Sequence, residues 1–192
     1  MVTSKPTWYS RRGLWSLFLV CAFPLHVWPI ILAFRDFSWV AERTNAWDAI
    51  GVLAYALVFA FAESLVVFLA AVLLGFLLPR RWEEGKRIAL LSILVLVTTL
   101  WAMLGQLYFL WNLSLPDQAI LFLAQTWHPL RILYLAILVV VLPTVLIPTY
   151  LVLRSEGSTR FILGLTERLS LLASIYLLLD AAGLVVVVIR NL

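Results

Sequence analysis

The chain alternates long apolar runs with short polar segments, and five of the runs are long enough to cross a membrane. They cover about residues 13–34, 49–78, 88–111, 130–153 and 169–189. An α-helix rises 1.5 Å per residue, so the roughly 30 Å hydrocarbon core takes about 20 residues. The pattern therefore predicts an all-α integral membrane protein, a polytopic bundle of about five transmembrane helices. Residues 1–192 are expected to form a single transmembrane helical domain.

A sixth apolar stretch lies before the fourth predicted span. Pro116 and Asp117 stand at one end of it and His128 and Pro129 at the other, which leaves only about ten residues between them. Runs of 10 to 14 apolar residues are too short to span a bilayer. We therefore expect a short interfacial or re-entrant helix within residues 116–129.

Composition agrees with this pattern and narrows the possible partners. The chain is 64% hydrophobic and 12% charged, with a mean hydropathy of +1.05, whereas soluble domains are roughly 45–50% apolar and 25% charged. The basic residues behind the net charge of +4 stand beside apolar runs and form no stripe, so we expect no nucleic-acid partner. A single cysteine, Cys21, excludes an intrachain disulfide framework and a cysteine-based metal cluster.

The basic residues divide unequally between the two sides of a five-span bundle. The side of the N-terminus receives Lys5, Arg11, Arg12, Arg80, Arg81, Lys86, Arg87, Arg154, Arg160 and Arg168. The other side receives Arg35, Arg43, Arg131 and Arg190. The positive-inside rule therefore predicts a multi-pass protein of the cell membrane with its N-terminus in the cytoplasm and its C-terminus outside.

The longest polar stretch between predicted spans is residues 35–48, RDFSWVAERTNAWD. It carries five charged residues and two tryptophans. We expect it to be a loop that offers an external contact surface.

Two acids fall close to the middle of predicted spans, Glu63 in the second and Asp180 in the fifth. Hydroxyl groups lie near the same level, on Thr98, Thr99, Thr144 and Tyr176. An acid inside a membrane costs a few kcal/mol and is by default a functional hypothesis. These groups are expected to form a proton or small-cation site, a structural polar layer that ties the helices together, or a surface that faces another subunit.

Small side chains accompany Glu63 along the second span. On a helix, its face also carries Ala56, Ala60, Val67, Ala70 and Leu74, with Ala71 and Gly75 at the margin. Small residues let helices approach closely. We therefore expect this face to be a packing surface that hides Glu63 from lipid.

The two histidines raise a cofactor hypothesis. His26 and His128 both fall toward the outer side in this topology, and paired imidazoles can ligate a haem iron. The usual alternative is an interfacial or hydrogen-bonded histidine, since each stands close to a proline. We favour that alternative and predict no cofactor.

Function is the least constrained property of this sequence. The chain contains no Walker loop, GxGxxG, HExxH, CxxC or GxSxG motif, which disfavours an autonomous enzyme. The first hypothesis is a non-catalytic integral subunit, or an assembly or scaffold component, of a larger membrane complex. The second is a small proton- or cation-coupled transporter or channel that uses Glu63 and Asp180. The third is a membrane anchor for a separately encoded enzyme. The expected partners are the lipid bilayer and other membrane protein subunits.

Overall fold

The computed structural model describes residues 9–192, which form six α-helices. These are α1 (Arg11–Arg43), α2 (Ala46–Leu77), α3 (Glu84–Leu110), α4 (Asp117–Ala124), α5 (Pro129–Arg154) and α6 (Glu156–Asn191). All of them except α4 are long and apolar enough to cross a membrane. The prediction of an all-α bundle with five membrane-spanning helices is confirmed. The separate short helix expected before the fourth span is α4.

Two of the long helices extend well beyond the predicted spans. α1 continues to Arg43, so only Thr44 and Asn45 separate it from α2, and the prediction of a loop over residues 35–48 was wrong. Residues 35–43 contain no proline or glycine, and nothing in them stops a helix. The 33 residues of α1 are about 50 Å long, so this helix tilts within the bilayer or projects from it. α6 likewise begins at Glu156, well before the predicted span.

α1 occupies the centre of the bundle. It packs against α2, α3 and α6, and its residues from Leu17 to Ala22 are all buried. A helix that is apolar all round is typical of a core position. The periphery consists of α4, which has no buried residue, and α5, in which only Val152 is buried.

The order of contacts fixes the direction of α6 relative to α1. Along α1, Arg12 pairs with Glu167, and His26, farther along, pairs with Asp180. Residues farther along α1 thus pair with residues farther along α6, so the two helices run in the same direction. α2 runs the opposite way, because Asp48 near its start contacts Arg190 near the end of α6.

The packing face of α2 differs from the expected one. Its buried residues are Ala49, Gly51, Ala54, Leu57, Ala60, Ser64, Ala71 and Gly75. Glu63, Ala70 and Leu74 are exposed, so the prediction that their face is the packing surface was wrong. Gly183 of α6 shows which face of α2 packs there, because a Cβ on Gly183 would be 3.3 Å from the Ala54 carbonyl oxygen.

One end of the bundle carries most of the arginines, and we call it the arginine-rich end. It comprises the start of α1, the turn from α2 to α3 and the turn from α5 to α6, with Arg11, Arg12, Arg80, Arg81, Arg87, Arg154 and Arg160. The predicted anchor Lys5 lies outside the described residues. The backbone N–H of Ser10 donates to Glu84 Oε1 at 2.6 Å, which joins the start of α1 to α3. Tyr9 packs beneath Arg87, and burial raises the pKa of its phenol, with Arg87 opposing and Glu84 adding to that shift.

Close packing at Gly183 yields a stability prediction. Gly183→Leu should push α2 and α6 apart and destabilise the protein by about 1–3 kcal/mol, because the Ala54 backbone cannot move aside. Gly164→Leu on the same helix is the control, since no atom lies within 4 Å of a Cβ placed there. Thermal unfolding in detergent, followed by tryptophan fluorescence, measures both variants. Equal melting temperatures for the two variants would contradict this account of the α2–α6 contact.

Candidate functional site: a buried histidine and aspartate

His26 and Asp180 form a hydrogen-bonded pair inside the bundle. His26 is fully buried in the middle of α1, and its Nε2 lies 3.0 Å from Oδ1 and 2.9 Å from Oδ2 of Asp180 on α6. Its Nδ1 lies 2.8 Å from the carbonyl oxygen of Ala22, one turn earlier in α1. Both ring nitrogens are therefore engaged.

These contacts restrict where the protons of the pair reside. A carbonyl oxygen only accepts hydrogen bonds, so Nδ1 carries a hydrogen and donates it to Ala22. One further proton then lies between Nε2 and the carboxyl group of Asp180. The pair is either imidazolium with carboxylate or neutral imidazole with carboxylic acid. In both forms its net charge is zero, which limits the cost of placing it in hydrocarbon.

Tyr176 covers one face of the histidine. It precedes Asp180 by four residues, so the two side chains lie on the same face of α6. The Tyr176 ring is stacked on His26, with centroids 5.8 Å apart and planes 13° apart, and it also stacks on Phe23 at 6.1 Å. The aromatic layer shields the pair on this side.

Asp180 also lines a cavity between α1, α2 and α6. The cavity has a volume of about 770 Å³ and extends from Arg11 and Trp15, at the arginine-rich end, to Asp180 and Leu184. Arg11 and Asp180 are the two ionisable residues among those that line it, and its walls are otherwise apolar. Asp180 therefore borders an open space and also contacts His26.

Glu63 lies on a different cavity, between α1, α2 and α3. This cavity has a volume of about 690 Å³, and Thr99 and Gln106 of α3 also line it. The carboxyl group of Glu63 is exposed and forms no hydrogen bond or ion pair with another residue in the part of the chain that the structure describes. The two cavities share no lining residue, so Glu63 and Asp180 do not form a joint site.

The threonines of the expected polar layer form no hydrogen bond with Glu63 or Asp180 in the part of the chain that the structure describes. Thr98 and Thr99 donate to carbonyl oxygens of their own helix, those of Leu94 and Val95, each at 2.7 Å. Such bonds are local and leave little for a neighbour. Thr144 does join two helices, because it accepts a hydrogen bond of 2.8 Å from Trp101 Nε1 and so links α5 to α3.

The two histidines do not fit a shared haem. His128 is exposed at the start of α5, whereas His26 is buried and has no nitrogen free to ligate iron. Within residues 9–192, no group of three or more histidine, cysteine, aspartate or glutamate side chains is placed to hold a metal ion.

Sequence reasoning missed the pairing of His26 with Asp180, although the sequence contains a signal for it. At 1.5 Å per residue, His26 lies about 20 Å into the first predicted span and Asp180 about 17 Å into the fifth. The first and fifth spans run in the same direction, so the two side chains reach similar depths. An acid that lacks a cation within its own and neighbouring spans should therefore have been matched to this histidine.

A double-mutant cycle tests the pair. His26→Leu and Asp180→Leu should each destabilise the protein, because each leaves the other polar group alone in the apolar interior. The double variant should lose less than the sum of the two, with a coupling free energy of about 1–2 kcal/mol. Equilibrium unfolding in mixed micelles measures all three variants. Losses that add within about 0.5 kcal/mol would show that the two side chains do not stabilise one another.

Comparisons of this chain with family models, curated proteins and solved structures found no match.

Proposed function

We propose that this chain is a non-catalytic integral membrane subunit, or a scaffold component, of a larger membrane complex. A partner helix would occupy the cavity lined by Glu63. The observation that carries this proposal is the exposed carboxyl group of Glu63 within a membrane-spanning helix. It has no partner among residues 9–192, whereas Asp180 has its partner inside the chain.

The cost of leaving a carboxyl group in hydrocarbon supports a partner at Glu63. A polar group left in hydrocarbon costs a few kcal/mol, and such groups usually face the interior of a bundle. A hydrogen-bond donor on a neighbouring helix would offset that cost. The cavity also offers the side-chain amide of Gln106 to such a helix.

The shape of the cavity suits a helix with small side chains. Four alanines line it, Ala56, Ala60 and Ala62 from α2 and Ala102 from α3. Small residues on both sides let two helix backbones approach closely. We therefore expect a partner helix that carries a hydrogen-bond donor among small residues.

Orientation and location belong to the same proposal. The arginine-rich end faces the cytoplasm under the positive-inside rule, and the turn between α1 and α2 faces the opposite side. The membrane in question is the cell membrane. Exposed aromatic residues near the opposite end, such as Trp111 and Trp127, are typical of membrane interfaces.

Filling the cavity tests the proposed subunit role. Ala102→Trp should abolish association with membrane partners purified together with the chain in mild detergent, because the indole would occupy the space for the helix. Glu63→Leu should weaken the same association about tenfold, since it removes the acceptor for the partner's donor. Quantitative mass spectrometry of the purified complexes measures both effects.

Val140→Trp is the matched control, because Val140 is exposed on α5, away from this cavity. It should leave the complex intact. The proposal fails if Ala102→Trp and Val140→Trp retain the same partners, or if the wild-type chain is a monomer without partners in its native membrane.

The pair of His26 and Asp180 favours a second candidate, a small proton- or cation-coupled transporter or channel. The pair shares one proton, and the cavity of about 770 Å³ extends from the arginine-rich end to Asp180. A carboxyl group that is hydrogen-bonded to an imidazole and belongs to a residue beside an open space is suited to proton relay. Glu63 would provide a second carboxyl group on a separate path.

Flux measurements distinguish this candidate from the subunit role. Asp180→Asn should lower proton flux into liposomes that contain the purified chain at least tenfold, because an amide keeps a hydrogen bond to His26 but cannot release a proton at this site. Glu63→Gln is the second variant, and Glu42→Gln, an exposed acid near the end of α1, is the control. A pH-sensitive dye inside the liposomes reports the flux. Wild-type flux no greater than that of empty liposomes would exclude the transporter.

A further inference from the structure

A polar cavity of about 690 Å³ lies at the arginine-rich end, apart from the cavities of Asp180 and Glu63. It is formed by the start of α3 and by the turn that joins α5 to α6. Its walls combine side chains from both segments, including Trp82 and Lys86 on one side and Arg154 and Thr159 on the other. The cavity therefore lies where three helix ends meet.

Positive charge predominates in this cavity. Its cations are Arg81, Lys86, Arg154 and Arg160, and its acids are Glu83 and Glu156. Two positive charges thus remain uncompensated among the lining residues. A site of this kind at the end of membrane-spanning helices favours an anionic ligand.

The cations keep most of their hydrogen-bond donors available. Lys86 Nζ donates to the carbonyl oxygen of Leu153 at 2.6 Å, which leaves two of its three N–H groups unused by that bond. Arg154 donates to the hydroxyl group of Tyr150, so one of its five N–H groups is engaged there. The contact of Arg160 with Glu156 is 3.7 Å between side chains that are 80% and 94% exposed, and such surface pairs are weak and easily rearranged.

An apolar wall lies next to these charges. Val152, Leu153 and Leu163 line the same cavity, and Leu153 and Leu163 belong to helices that continue into the membrane. Trp82 lies beside Lys86, with the ammonium 5.6 Å from the ring centroid, and tryptophan is typical of the headgroup level of a bilayer. Charge and apolar surface are therefore arranged as in a phospholipid, with the headgroup outward and the chains inward.

We propose that this cavity binds an anionic phospholipid, with its phosphate against Lys86 and Arg154 and its acyl chains along Leu153 and Leu163. Arg160 exchanges its weak contact with Glu156 for the headgroup. The bound lipid fixes the turn between α5 and α6 to the start of α3, because it contacts both segments. This site is independent of the proposed partner helix, which occupies a different cavity.

Lipid titration followed by native mass spectrometry tests the proposal. The full-length chain in mixed micelles should retain phosphatidylglycerol in preference to phosphatidylcholine. A double variant, Arg154→Gln with Arg160→Gln, should bind phosphatidylglycerol about 25-fold more weakly, since each cation near an anionic headgroup contributes about fivefold. Lys86 is left unchanged because it also joins α3 to α5.

Arg43→Gln with Arg131→Gln is the matched control, because it removes two exposed cations outside this cavity. Its affinity for phosphatidylglycerol should equal that of the wild type. Equal losses in the two double variants would overturn the proposal, as would equal retention of the two lipids by the wild type.

Inorganic phosphate separates a lipid from a free anion. Phosphatidylglycerol should raise the melting temperature of the wild type in detergent, and the same concentration of inorganic phosphate should not. Equal stabilisation by phosphate would show that the cavity takes a free anion, and the lipid would then be the wrong ligand.

Discussion

The contact between His26 and Asp180 is the constraint on which the helix arrangement depends. Neither side chain can be left alone in hydrocarbon without a cost of a few kcal/mol, so α1 and α6 must lie side by side with these residues at one depth. That requirement fixes the direction and register of the two helices. The stacked rings of His26, Tyr176 and Phe23, and the aromatic contact of Phe18 with Phe61 from α2, then build a core around that pairing.

The two acids within the membrane-spanning helices offset the cost of a carboxyl group in hydrocarbon in different ways. Asp180 is 7% exposed, and its partner belongs to the same chain. Glu63 of α2 is exposed in the cavity between α1, α2 and α3, and no described residue pairs with it. The first acid therefore serves the fold of the single chain, whatever else it does. The second makes no such contact within residues 9–192, and the proposed partner helix is an explanation of why the sequence carries it.

The membrane architecture follows from the sequence because it depends on hydrophobicity averaged over about 20 residues. Each of the five long apolar runs therefore predicts a membrane-spanning helix, and a run of about ten residues does not. Helix ends were less predictable, since residues 35–43 are polar and yet continue α1 to Arg43. The rotation of α2 was not predictable from small residues alone, because alanines occur on both faces. The close contacts of Gly51 and Gly75, and that of Gly183 on α6, show which face packs. The similar depths of Asp180 and His26 were apparent in the sequence, but their contact was not, because it depends on which helices become neighbours.

The internal pairing also bears on how a complex would assemble. Because His26 and Asp180 satisfy one another within the chain, α1 and α6 can pack before any partner arrives, and the core formed by Leu17, Cys21 and Leu91 does not depend on a second protein. If the chain is a subunit as proposed, then the partner helix contacts Glu63 and the open side of the cavity between α1, α2 and α3. Folding then depends on the His26–Asp180 pair, and assembly depends on Glu63. A change at Glu63 should therefore affect association and spare the fold, whereas a change at His26 or Asp180 should affect the fold first.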